Sequence, residues 1–234
     1  MTSFVGQDTE GGNVEDLTVT FPSVQAGDVA VLLWLMQNTS TPALPSGFTL
    51  PSGGLVDGDS GSMRMGLYWQ ALSAGGSVTL DGSAINRQSA VMAVYRGAHP
   101  TAPISAWAVR DEGSSVSTHP CPQVTPLHGG CVILSGVGER ASSGTTSWTT
   151  AYSKRADSAS LATGSGGTIC AIADDGLSTP RAAGVAVTPP NWVSADPFAS
   201  ANVLTWSIAL RPIDSSRPVA RVAARAAVRR AATW

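Results

Sequence analysis

Gly27-Asp28-Val29-Ala30-Val31-Leu32-Leu33-Trp34-Leu35-Met36 sets a turn dipeptide before eight apolar residues rich in branched and aromatic types. A run of this length without polar alternation predicts a strand buried on both faces. A weaker copy, Gly129-Gly130-Cys131-Val132-Ile133-Leu134-Ser135-Gly136, recurs about a hundred residues later. The regions around both copies break into short strand-like runs divided by Gly, Pro and Ser.

In the first half, Leu17–Phe21 alternates and stops at Pro22, as a half-buried strand does. The loop Asn38–Gly54 carries Pro42, Pro45 and Pro51, and its Leu44-Pro45-Ser46-Gly47-Phe48 is expected to fold an aromatic ring back over the core. Met63–Leu72 places Met63, Met65, Leu67 and Trp69 on one face. After the turn Ala74–Ser77, Val78–Leu80 returns as the second arm of a hairpin. Ser89–Arg96 is strongly apolar and is stopped by Gly97 and Pro100, and Ile104–Arg110 is a weaker strand.

The same order returns in the second half. Pro122-Gln123-Val124 parallels Pro22-Ser23-Val24, Cys131–Leu134 parallels Val29–Leu32, and Trp148 takes the place of Phe48. Ile169–Ala173 with Gly184–Val187 mirrors the hairpin, and Val203–Leu210 mirrors Ser89–Arg96. These matches predict a jelly-roll-like all-β sandwich over residues 1–212, built from pseudo-repeats at about 14–110 and 118–212 that share one core. From residue 213 to 234 the texture changes. Ser216-Arg217-Pro218 reads as a helix start, and Val219–Ala232 as a basic amphipathic helix. Its apolar arc is made of Val and Ala, so such a helix needs a partner.

Charged residues make up 13% of the chain, against about 25% in ordinary soluble domains. Net charge is −2, yet residues 215–234 hold Arg217, Arg221, Arg225, Arg229 and Arg230 with no acid, which leaves −7 for the rest. This asymmetry points to an acidic protein surface, such as a copy of the body, as the partner of the arm; nucleic acid is the less favoured rival. Met1-Thr2-Ser3-Phe4 has no secretory pattern and no apolar run is long enough to span a membrane, so synthesis in a cytoplasm and no membrane partner are expected.

No catalytic constellation stands out. Gly58-Asp59-Ser60-Gly61-Ser62 is similar to a serine-protease nucleophile loop, but His99, His119 and His128 all follow it and none sits in a matching motif, so a turn is the better reading. His119, Cys121, His128 and Cys131 form the one cluster of soft ligands, at a spacing unlike structural zinc sites. We therefore expect core thiols there, with neither zinc nor a Cys121–Cys131 disulfide, and no cofactor. Cys170 also reads as core. Asp57/Asp59 and Asp174/Asp175 sit beside glycines and read as turn acids before calcium ligands. The sequon at Asn38 has meaning only on a secretory route. Trp34, Trp69 and Trp206 read as core; Trp107, Trp148, Trp192 and Trp234 read as freer, available for sugars or an interface.

The ordered set Ala26-Gly27-Asp28-Val29-Ala30-Val31, Pro45-Ser46-Gly47-Phe48-Thr49, Ala93-Val94-Tyr95-Arg96-Gly97 and Ile208-Ala209-Leu210-Arg211-Pro212 resembles a group of β-rich proteins of tailed actinobacterial phages and related prophages. The resemblance covers nearly all of residues 14–212. It implies a non-enzymatic virion component, a minor tail protein or a surface decoration protein, made in the host cytoplasm and assembled with other virion proteins and its own copies. The group brings no catalytic residues. The arm lies outside the shared pattern, and its arginines with Trp234, placed to plug a pocket, are the candidate partner-binding residues. A carbohydrate-binding adhesin gripping cell-wall glycan through its tryptophans is the alternative. A hydrolase ranks third, because no carboxylate pair is singled out.

Overall fold

Strand β3 (Val29–Met36) is buried at every residue because both of its faces are covered. Val29, Val31, Leu33 and Leu35 enter one apolar cluster, and Ala30, Leu32, Trp34 and Met36 enter another on the opposite side. The computed structural model describes residues 2–12, 14–37, 40–58, 61–82, 87–112, 116–141, 148–159, 167–176, 181–194 and 203–213. These residues are almost entirely β, arranged as antiparallel sheets packed in a sandwich. The proposed C-terminal helix and all the arm arginines lie outside them.

The first half contains β1 (Ser3–Gly12), β2 (Asp16–Thr20), β3, β4 (Leu55–Gly58), β5 (Met63–Ala71), β6 (Ser77–Asp81) and β7 (Gln88–Arg96). The second contains β8 (Ile104–Glu112), β9 (Thr118–His119), β10 (Val132–Ala141), β11 (Trp148–Thr149), β12 (Ser153–Ala159), β13 (Gly167–Asp174), β14 (Trp192–Ser194) and β15 (Val203–Leu210). Each half forms a five-stranded sheet, ordered β1-β7-β3-β5-β4 and β8-β15-β10-β13-β12. Both follow one circuit: the first strand of the half beside its last, then the long buried strand. A small sheet covers each outer face, β2-β6 on one side and β11-β14-β9 on the other. The Val124–Val187 bridge continues the register of Thr118 with Val193.

The two large sheets face each other across a core that draws on both halves, including Leu33, Met65 and Tyr95 with Leu134, Ile172 and Trp206. Four differences from the sequence reading follow from this arrangement. Val78–Leu80 is not the second arm of a hairpin with Met63–Leu72: β6 pairs with β2 in a separate sheet, while β5 pairs with β3 and β4. Each half has an outer core of its own in addition to the shared one, because the small sheets supply the missing cover. The join lies at residues 97–103, so Ile104–Glu112 opens the second half instead of closing the first. Its counterpart β1 escaped notice because Ser3–Gly12 is polar and glycine-rich. Finally, Val132, not Cys131, stands where Val29 does: Val29 lies opposite Tyr95 and Val132 opposite Leu210, each one residue before an arginine. A slip of one residue exchanges the two faces of a strand.

Glycine sets how closely the halves approach. A Cβ on Gly136 of β10 would strike Leu33 Cδ1, and one on Gly138 would lie 2.5 Å from Met65 Sδ. The side chains of the first half thus rest on bare backbone of the second. A polar fastener closes the same interface. Arg155 donates from Nε and Nη2 to buried Asp174 at 2.6 and 2.9 Å, and the Tyr95 hydroxyl reaches the same carboxylate at 3.2 Å. The Arg155 guanidinium lies 4.6 Å over the Phe4 ring, which meets Tyr95 edge-on at 5.8 Å. Gly136→Val should lower unfolding free energy by about 2 kcal/mol or more through overpacking. Asp174→Ala should cost about 3 kcal/mol by leaving Arg155 without its counter-charge. Urea denaturation of each variant measures both.

Candidate functional site

At the rim of the shared core, the edge strands β4 and β8 lie on the same side of the two large sheets. Trp69 stands on the core-facing side of β5, in line with Met65 and Leu67. Its backbone is held by reciprocal bonds with Thr49, at 2.8 and 3.0 Å. Trp107 faces the same core from β8, tilted against Trp206 with ring centres 5.4 Å apart. Pro51, Trp69, Pro103, Ile104, Trp107 and Leu127 line a cleft of about 420 Å3. Its two tryptophans come from different halves and are half-buried, so the cleft exists only in the joined fold.

Local chemistry keeps this rim open and dry. The turn at Pro51–Gly54 closes with a Gly54 N–H to Pro51 O bond of 2.8 Å. Gly53, at φ 76°, is where a Cβ would sit 3.5 Å from the Trp107 ring. Leu127 is 70% exposed. The lining offers one hydroxyl, Ser105, and it is already engaged: it accepts from Leu127 N–H at 2.9 Å and contacts His128 Nδ1 at 3.0 Å. Apart from Ser105 and the two indole N–H groups, the side chains lining the cleft are apolar.

The soft-ligand residues do not converge. His119 is buried in β9, its Nδ1 3.2 Å from Glu112 Oε2 and its ring 5.3 Å from Trp148. Cys121 packs in the outer core with Trp148 and Trp192, and Cys131 in a separate cluster with Val124 and Ile133. His128 is turned to Ser105. Among the described residues no group of three or more His, Cys, Asp or Glu is arranged to hold a metal ion. All three thiols are free and buried; desolvation pushes Cys121 up to about 12 and raises Cys131. Asp57 pairs with Arg64, Asp174 with Arg155 and Asp175 with Arg181, so these turn acids are matched by arginines. Asn38, Asp59, Ser60 and the arm residues Arg217 to Trp234 lie outside the described residues.

Two tryptophans expected to be free are not. Trp148 in β11 and Trp192 in β14 belong to the outer sheet of the second half and are fully buried in the core beneath it. Conversely Trp69, expected in the core, contributes to the cleft wall. Glu112 and Glu139 are buried acids without a sequence signal, and Asp28, read from the sequence as a turn residue, is buried as well. Asp28 is held by Arg96 at 2.9 and 2.8 Å, and that pairing keeps its carboxyl below the usual range.

Burial outweighs the Glu112 carboxylate at His119 and depresses the imidazole below its ordinary 6.5. The unfolded chain then takes up a proton that the folded one resists. This stability is present above about pH 6.5 and is lost as pH falls toward the folded value. Lowering pH from about 7 to 5 should reduce Tm in the wild type and reduce it less in His119→Gln, as calorimetry would show. The stability that Asp28 gains from its pairing with Arg96 is present above the ordinary carboxylate pKa of 3.8 and is lost only as pH falls below it toward the lowered folded value.

Compared with known proteins, the chain matches no family model, and neither a curated protein nor a solved structure is significantly similar to it.

Proposed function

We propose that the protein is a non-enzymatic structural component of a tailed-phage virion, a minor tail protein or a surface decoration protein, assembled through its basic C-terminal arm. The observation that carries this reading is what the shared motifs do. Asp28 of the first motif and Arg96 of the third form one bidentate ion pair. Gly47 and Phe48 of the second turn an aromatic into the outer core, with Phe48 N–H on Pro45 O at 3.0 Å. Arg211 and Pro212 of the fourth stitch the end of β15 to the 97–103 link, through Arg211 N–H to Pro103 O and the Ala98–Pro212 bridge. In each of these motifs the named residues fasten the fold. The charge asymmetry supplies the assembly element: a +5 arm on a −7 body.

The adhesin alternative loses ground on two observations. Two of its four tryptophans are buried, and the one hydroxyl lining the cleft that holds Trp107, that of Ser105, is already engaged.

Gold-labelled antibody should decorate intact virions at tail or capsid. A protein truncated after Ile213 should fold, with an unchanged β circular-dichroism spectrum, yet fail to enter particles. Normal incorporation of the truncated protein would make the arm dispensable, and a shift of duplex DNA by the full-length protein at physiological salt would reassign the arm's partner.

A further inference from the structure

The cleft and the origin of the arm lie side by side. Ile213 N–H donates to Gly97 O at 2.8 Å and Arg211 N–H to Pro103 O at 2.6 Å, so the described chain ends against the 97–103 link. That link runs directly into Pro103 and Ile104, which wall the cleft. Ile213, at the end of that path, is 48% exposed and apolar like the cleft's Leu127. Among the described residues strand β8 has one hydrogen-bonded neighbour, β15, and so presents an open row of backbone groups along the cleft. Ile104 to Val109 carries no charge, whereas Asp111 beyond it is exposed. Arg110 between them is also exposed and donates to buried Glu112 at 2.9 Å, so this edge passes from apolar to charged, with Asp111 its exposed acid four residues, about 13 Å, from Trp107. Residues 214–234 carry the matching chemistry in sequence, with Val219 and Val222 interleaved among arginines.

We propose that the Trp69–Trp107 cleft receives the arm of a second copy, and that two copies exchange arms. The apolar residues around Val219 and Val222 enter the cleft, and the arginines meet Asp111 and the acidic body beyond it. This rests on the reading of the arm as an assembly element and names its receptor. Because exit and entrance adjoin, a two-fold axis beside the cleft satisfies both arms at once, as an isologous interface requires. The exposed ion pairs are screened by salt, so the exchange weakens as salt rises.

The test is sedimentation of the full-length protein at low and high salt, beside Leu127→Glu, Asp111→Arg and the chain truncated after Ile213. Leu127 is largely exposed, so its substitution leaves the core intact, and circular dichroism checks that every variant folds. We expect a salt-sensitive dimer, a monomeric truncated chain, and self-association weakened about tenfold or more by Leu127→Glu. Asp111→Arg should also weaken it and flatten its salt dependence. A truncated monomer with Leu127→Glu as tightly dimeric as wild type overturns the cleft but leaves the arm reading standing. A truncated chain that still dimerises overturns the arm reading itself. A full-length monomer at all concentrations overturns exchange, and a glycan-array signal lost in Leu127→Glu overturns the choice of occupant.

Discussion

Leu33 and Met65 rest against the bare backbone of Gly136 and Gly138, and the close approach of the two large sheets depends on that contact. Were either glycine to carry a side chain, the sheets would have to separate. The shared cluster would then lose the interdigitation that buries Leu134, Ile172 and Trp206 against the first half. Close packing makes such an interface intolerant of added volume. The Asp174–Arg155–Tyr95 group adds direction, since it links β7 to β12 and β13 through a carboxylate with several fixed donors.

The duplicated halves share a circuit but differ in chemistry on their outer faces. The first half covers its large sheet with Leu17, Val19, Val78 and Leu80 over Trp34, Tyr68 and Met92, and satisfies the Trp34 indole with Gln88 at 2.8 Å. The second half buries serines and threonines instead. Thr205 and Ser207 donate their hydroxyls to the carbonyls of Pro120 and Pro122, at 2.9 and 2.6 Å. Proline has no N–H with which to extend a ladder, so these side-chain bonds tie that segment to the sheet beneath. The same half carries the buried His119–Glu112 pair.

A duplicated sandwich has a rim where its two sheets part, and here that rim carries the cleft. Buried acids elsewhere are matched to arginines, at Asp28, Asp174 and Asp175. These pairs fasten the fold from within. The arm then adds charge of the opposite sign to the body that carries it.

The all-β class, the duplication and the buried β3 were legible in the sequence, because apolar runs punctuated by Gly and Pro report strands directly. β1 was not, since Ser3–Gly12 has neither period nor apolar bias and becomes a strand by pairing with β7. Nor was the exchange of roles among tryptophans: Trp148 and Trp192 lie in segments that look like loops but form the covering sheet, and packing of that sheet on Val137, Ile169, Ala171 and Val203 buries them. The soft-ligand spacing of His119, Cys121, His128 and Cys131 dissolved because strand alternation and turns send them to different clusters. The cleft was beyond any linear reading, as Trp69 and Trp107 meet only where one half packs on the other. Local pattern determined which segments are strands; long-range packing decided which faces meet, which acids find arginines and which aromatic rings remain at the surface.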